Sequence, residues 1–300
     1  MNLLHEIIAS PWFIDKQYAD DHFHLVVRML RGDLLFDPNA NKSSKSEEMQ
    51  GQASLAILNN KKPFTADAFD IYENADQITE PSVFILNIAG PITKYSMMCG
   101  PSGMAAKAEW IQKADMHPNI FAHAIKIDSG GGSGYAARFM GEVLSNLEKP
   151  VFAFIDDYGA SAAYWIASAA SYIYIGSKMG MAGSIGTYLT LRDYSEYLKK
   201  EGITEIDVYA EKSKEKNIEH RLLAEGKIES AIARAQVLAN QFNDFFLTQV
   251  KESRKDKLNS NDWNTGRMFF ANEAIEIGLI DGIMPWDEFL QNIFNEFSPK

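Results

Sequence analysis

The sequence predicts an α/β fold, a mostly parallel sheet flanked by helices, with an N-terminal helical extension. Three observations carry this. From Pro81 onward, short apolar runs alternate with stretches of helical spacing. Runs such as "SVFILNIAG" are apolar almost throughout and end in glycine, as a buried strand does. Glycine-rich junctions, "DSGGGSG" and "DYGAS", stand between a strand-like run and a helix-like one.

The elements follow in order. Residues 1–36 are mixed polar and apolar, with helical spacing in "YADDHFHLVVRMLRG". Asp37 to Gln52, "DPNANKSSKSEEMQGQ", has no large aliphatic residue except Met49, so residues 37–53 read as a flexible linker before a main domain at 54–300. Strands are expected at "SVFILNIAG", "IFAHAIKID", "PVFAFID", "YIYIG" and "IDVYA". Helices are expected at "SGMAAKAEWIQKADMHP", "YAARFMGEVLSNLEK", "AAYWIASAA", "SEYLKKEG" and the long amphipathic Ile228 to Arg254. "ANEAIEIGLIDGIMPWDEFLQNIFNEF" supplies a final helix, strand and helix.

Composition narrows the function. The chain has 300 residues, 46% hydrophobic and 23% charged, which is ordinary for a globular protein able to bury a core. A net charge of −11 argues against nucleic acid as a partner. The single cysteine, Cys99, excludes an internal disulfide and a cysteine-built metal site. No metal and no cofactor is expected. No run of about 18 apolar residues exists, so no membrane anchor is expected. The first residues lack a basic n-region, so a secretory signal is not expected and the chain reads as cytoplasmic.

A site can be assembled from three pieces. Asp128 to Gly134, "DSGGGSG", follows a strand and precedes a helix. Its glycines let backbone N–H groups turn toward a phosphate or an oxyanion. Ser161 ends the next strand, so parallel-sheet logic puts it at the same carboxyl edge. Its small neighbours Gly159, Ala160, Ala162 and Ala163 permit a tight turn, and the Ala162 amide is a second oxyanion donor. The plain alternative for Ser161 is a helix N-cap. A serine nucleophile also needs a base. None of the six histidines sits in an obvious catalytic context, and His123, within a strand, reads as a core or edge residue. The other choice is a desolvated lysine, and Lys212, Lys214 and Lys216 lie together in "VYAEKSKEKN".

The segments "IDSGGGSG", "DDYGASAAYWIASAA", "MAGSIGT", "VYAEKSK" and "GRMFFANEAIEIGLIDGI" occur in the order and spacing of the signal peptide peptidase A (protease IV) family. The chain resembles that family from about Ser82 to Gly282, and most of all its phage head-maturation and scaffold-protease branch. The resemblance implies a ClpP/crotonase-like fold and a Ser–Lys peptidase. It makes Ser161 the nucleophile and Lys214, 53 residues later, the general base, with Lys212 as the fallback. It makes Gly131 or Gly132 an oxyanion donor alongside Ala162, and Ser184 in "GSIG" the group that orients the base. It also implies a homo-oligomer, with the long helix packed between subunits or on its own sheet, and a peptide or protein substrate, a capsid scaffold or the chain itself.

Three departures stand out. Gly130 replaces the usual proline of the glycine loop, Ser161-Ala162-Ala163 replaces Ser-Gly-Gly, and Glu211 replaces the glycine before the lysine segment. Glu211 and Glu215 favour charged lysines nearby. Competing readings are an inactive assembly or scaffold-binding module on the same fold, a cytosolic protein-quality protease, a degenerate nucleophile elbow with His220 as base, and a crotonase-like acyl-CoA enzyme.

Overall fold

The computed structural model describes residues 12–14, 51–59, 62–66, 70–96, 101–193, 195–202, 204 and 206–299. The helical spacing read at 18–32 and residues 37–50 of the linker read at 37–53 lie outside these residues; Gly51 and Gln52 form a turn and Ala53 opens a strand. The chain divides into two units, residues 1–186 with 247–300, and residues 187–246.

The first unit is organised by a nine-stranded sheet. Its middle is parallel, as the alternation of apolar runs and helices predicts: β4 (Ser82–Ala89), β5 (Ile120–Ser129) and β7 (Val151–Ala160) lie side by side. The edges are antiparallel, and the sequence reading did not find them. On one side β2 (Ala53–Asn59) pairs with β4 and with β3 (Lys62–Ala66). On the other, β9 (Met181–Gly183) pairs with β10 (Met268–Phe270). A separate two-stranded sheet joins β1 (Trp12–Ile14) to β6 (Gly131–Ser133).

The strand β7 is longer than "PVFAFID" and has two partners on one side. Phe152–Ile155 pair with β8 (Tyr172–Ile175), which in turn pairs with β11 (Gly282–Ile283); Tyr158–Ala160 pair with β9. The register against β5 shifts at the same place, between Ile127 and Ser129. The sheet therefore splays where β7 changes partner, and the residues beyond the split form its carboxyl edge.

Side chains alternate across the strands. Val83, Ile85, Ala122, Ala124, Phe152 and Phe154 form one buried cluster with Phe289, Leu290, Ile293 and Phe294 of α7 (Trp286–Phe297). Helices α1 (Met104–Asp115) and α3 (Ala162–Ser168) also pack on this sheet, and α2 (Gly134–Ser145) packs against both of them. His123 on β5 is the core residue expected: it is fully buried, and its Nε2 lies 2.9 Å from Asp115 Oδ1. Asp115 also accepts from the amides of Glu148 and Lys149, at 2.9 and 3.1 Å. Burial opposes that charge, but the bonds from His123 and the two amides hold Asp115 down at about 2.

The second unit holds α4 (Ser195–Lys200), α5 (Ile218–Ala224) and the first part of α6 (Ile228–Arg254), whose limits are those read from its spacing. The strand expected at "IDVYA" is absent: residues 206–210 are irregular, and Ile206 and Val208 are 81% and 91% exposed. Alternating apolar residues make a strand only when a neighbour satisfies its backbone and covers a face, and "IDVYA" pairs with none of the described strands.

A buried cation on α1 went unread. Lys107 on α1 is 1% exposed; its Nζ donates to Gln52 Oε1 at 2.8 Å and to the Asn87 carbonyl at 2.7 Å. Burial pushes its ammonium down to about 7. An unfolded lysine keeps its proton to about pH 10.4, so between these values the unfolded chain binds more protons and stability rises with pH. Below pH 7 both states are charged and the slope vanishes. Urea unfolding is expected to gain on the order of 1–2 kcal/mol between pH 7 and 9 in the wild type relative to Lys107→Met. Equal pH dependence in the two proteins contradicts this reading.

Candidate active site

Residue 161 is where the strand becomes a helix. Ser161 follows the last residue of β7 and precedes α3. Its backbone lies at φ 55°, ψ −118°, a region that residues with a Cβ avoid. Two bonds hold it there: Ser161 N donates to the Gly183 carbonyl at 2.8 Å, and Trp165 N donates to the Ser161 carbonyl at 2.9 Å. Ser161 is 1% exposed, and its side chain makes no capping bond to α3. The N-cap role is therefore not what this serine performs. A strained strand-to-helix turn carrying an uncommitted hydroxyl is the geometry of a nucleophile elbow.

The sheet brings the other pieces to the same edge. Ser129 on β5 pairs with Gly159 on β7, so Gly131 and Ser161 each stand two residues beyond a paired position. The glycine loop is built around Ile92: Ile92 N donates to Gly131 O at 2.9 Å, and Ser133 N donates to Ile92 O at 2.8 Å. A Cβ on Gly132 would meet the Ile92 carbonyl oxygen at 2.2 Å, so glycine is required there. The Gly131 amide donates to Ser129 Oγ at 3.1 Å, so an oxyanion would have to take that amide over from Ser129. Ala162 opens α3, and the first N–H groups of a helix have no acceptor within it.

On the far side of β7, Gly183 pairs with Ala160. Gly183 has φ 133°, and a Cβ there would meet the Arg267 carbonyl oxygen at 2.6 Å. Ser184 follows with φ 52°; its amide donates to Arg267 O at 2.8 Å. Ser161, the glycine loop, Ala162 and Ser184 thus converge through strand register alone. Asp128, next to the loop, is pushed above the usual carboxylate range by burial and by Asp157 and Asp156.

Lys214 lies in the second unit, in the turn before α5, with its side chain exposed; its carbonyl accepts from Arg221 Nη2 at 2.9 Å. Lys212 and Lys216 share that exposed turn. Glu215 is ion-paired with Arg234. Lys107, the described lysine that burial brings to about 7, is on α1 and bonded to β4, two strands from β7.

A buried network behind α3 was missed. Tyr164, one turn into α3, donates its hydroxyl to the Leu279 carbonyl at 2.7 Å. The loop carrying Leu279 is gripped by Arg254, whose guanidinium donates to the Gly278 carbonyl at 2.9 and 3.1 Å and to Asp281 at 2.9 and 3.2 Å. Lys257 and the Ile173 amide also reach Asp281, each at 2.7 Å. The available signal was an aspartate inside the apolar "GLIDGI" and an arginine ending an amphipathic helix.

The family model described as peptidase family S49 matches residues 144–296. The chain belongs to peptidase family S49. The matched segment begins just before β7 and includes Ser161, Ser184 and Lys214. Among curated relatives, protease 4 of Haemophilus influenzae is 25% identical over 79% of this chain and 38% of its own length. Capsid assembly protease C of Escherichia phage lambda is 23% identical over 92% of this chain and 61% of its own. A Brucella abortus protein named Na(+)/H(+) antiporter NhaA is 30% identical over 72% of this chain, but over only 30% of its own length. The chain therefore spans about a third of the first relatives it matches. No described helix is long and apolar enough to cross a membrane. ClpP1 of Listeria monocytogenes aligns over 72% of this chain and 98% of its own, at 15% identity and a TM-score of 0.40.

Two outcomes follow for this S49 domain. Strain at Ser161 makes Ser161→Gly more stable than Ser161→Ala, by about 1 kcal/mol in urea unfolding; equal stabilities contradict the strained turn. Asp281→Asn leaves the buried Arg254 without its counter-charge and is expected to cost about 3–5 kcal/mol. Burial opposes the Asp281 charge, but Arg254 and Lys257 hold its pKa below the usual value. Its stabilising share is therefore full above the unfolded value of about 4 and lost as pH falls through the lower folded value. Acid titration of stability should show that loss in the wild type and not in Asp281→Asn.

Proposed function

We propose that the chain is a serine endopeptidase working through a Ser161–Lys214 dyad, and that it serves as a phage or prophage capsid-assembly protease inside a bacterial host. The observation that carries the peptidase reading is the strained, uncapped Ser161 at the edge shared with the glycine loop.

In this reading Lys214 takes the Ser161 proton as Oγ attacks the peptide carbonyl carbon. The carbonyl π electrons move onto oxygen. The amide of Ala162 and one from Gly131 or Gly132 stabilise that oxyanion, a contribution worth about a hundredfold or more per donor. The C–N bond then breaks, and Lys214 returns the proton to the leaving amine. A water then attacks the acyl carbon and passes a proton to Lys214, which returns it to Ser161 Oγ as the ester C–O bond breaks. Ser184 fixes the orientation of the lysine.

The capsid role rests on the phage lambda relative, which aligns with most of this chain. A scaffold protein or the chain itself is then the substrate, and a homo-oligomer the working form. The exposed Ile232, Val237, Leu238 and Phe245 on α6 favour association with further copies.

The test is cleavage of fluorescein-labelled casein, and of the capsid-operon proteins by mass spectrometry. Ser161→Ala and Lys214→Ala should each lose roughly 10⁴-fold in kcat with the fold intact, and Lys212→Ala should stay near wild type. Activity surviving in Ser161→Ala rejects the nucleophile; activity surviving in Lys214→Ala rejects the dyad.

A further inference from the structure

The glycine loop has a partner that the peptidase reading does not use. β6, the strand part of that loop, has two edges. Ile92 takes one, through its bonds to Gly131 and Ser133. Strand polar groups alternate, so those of Gly132 turn to the other edge, and an occupant paired there leaves the oxyanion role to Gly131 rather than Gly132. There β1 pairs antiparallel, with Trp12 opposite Ser133, Phe13 opposite Gly132 and Ile14 opposite Gly131.

Resting on the peptidase reading, in which an extended peptide is laid along this outer edge, we propose that the chain's own Trp12–Ile14 occupies that edge in competition with substrate. Two of the three β6 residues are glycines, so the edge offers main chain and little side chain. Such an edge accepts an extended segment by ladder bonds and leaves selectivity to the pockets around it. It also adjoins Ser161, since Ser129 and Gly159 are paired just before the loop and the serine. A peptide laid along β6 therefore passes the nucleophile.

The occupant is short and tethered. A three-residue, two-stranded pairing is marginal by itself, so it opens readily. Belonging to the same chain, it competes with a free peptide as an intramolecular occupant. The consequence is a raised apparent KM with an unchanged kcat.

The experiment uses the full chain, wild type and Phe13→Pro, the latter lacking the one N–H that Phe13 gives the ladder. Hydrogen–deuterium exchange is followed over residues 129–134, and casein cleavage is measured in parallel. Thermal unfolding confirms that both proteins fold. Exchange at Gly132 should be at least tenfold faster in Phe13→Pro. A synthetic peptide of residues 8–18, IASPWFIDKQY, should restore protection, and the same peptide N-methylated at the phenylalanine should not. The KM for casein should fall several-fold in the variant and rise again with the peptide. Unchanged exchange and unchanged KM overturn the proposal while leaving the peptidase standing. Expected exchange with no casein cleavage by either protein upholds the docking edge and rejects the peptidase.

Discussion

The arrangement depends on one backbone residue held where its side chain disfavours it. Ser161 keeps a positive φ because its amide donates to the Gly183 carbonyl and its carbonyl accepts from Trp165 N in the first turn of α3. The hydroxyl is thereby withheld from the capping bond a serine ordinarily makes, and the Ala162 amide is left at the helix start. The cost of such a conformation is of order 1–3 kcal/mol, and the surroundings must over-determine it to keep it. Here they do so through Gly183, which itself needs a positive φ, and through the Tyr164–Leu279 bond that anchors α3 from behind.

The sheet topology explains why those pieces meet. β7 changes partner from β8 to β9 part-way along its length, and its register with β5 shifts at the same point. Beyond the split, Ser129, Gly159 and Ala182 lie abreast, and each strand ends within a few residues. The glycine loop, the serine turn and Ser184 are the three exits from that one row. The buried Arg254–Asp281 pair is far from the row in sequence, yet it secures the loop on which Tyr164 leans. Its value lies in position, since a buried ion pair contributes little net stability until one partner is removed.

Much of this could be read from local pattern. The continuous apolar runs, the helix at Ile228–Arg254, the glycine loop and Ser161 all announce themselves within a few residues. What escaped depends on partners distant in sequence. The three-residue β9 and β10 become strands only beside each other, whereas β2, "ASLAILN", is a local apolar run that could have been read as a strand and was not. "IDVYA" shows the converse: it has strand-like alternation, and its apolar residues stay in solvent. Lys107 looked like any surface lysine of an amphipathic helix until Gln52 and Asn87 closed over it. Tyr164 finds its acceptor 115 residues away, which no window of sequence reveals. The base followed from resemblance rather than from spacing, and Lys214 lies in the second unit.

The central claim is that the hydroxyl at position 161 is an activated nucleophile rather than a buried polar group. Reaction with a peptidyl β-lactone tests it directly, because ring opening by a serine adds the whole lactone as an ester and releases nothing. Mass spectrometry should find one adduct per chain, on the peptide containing Ser161, and none after Ser161→Ala. An adduct on another residue, or equal modification of the alanine variant, would contradict the account.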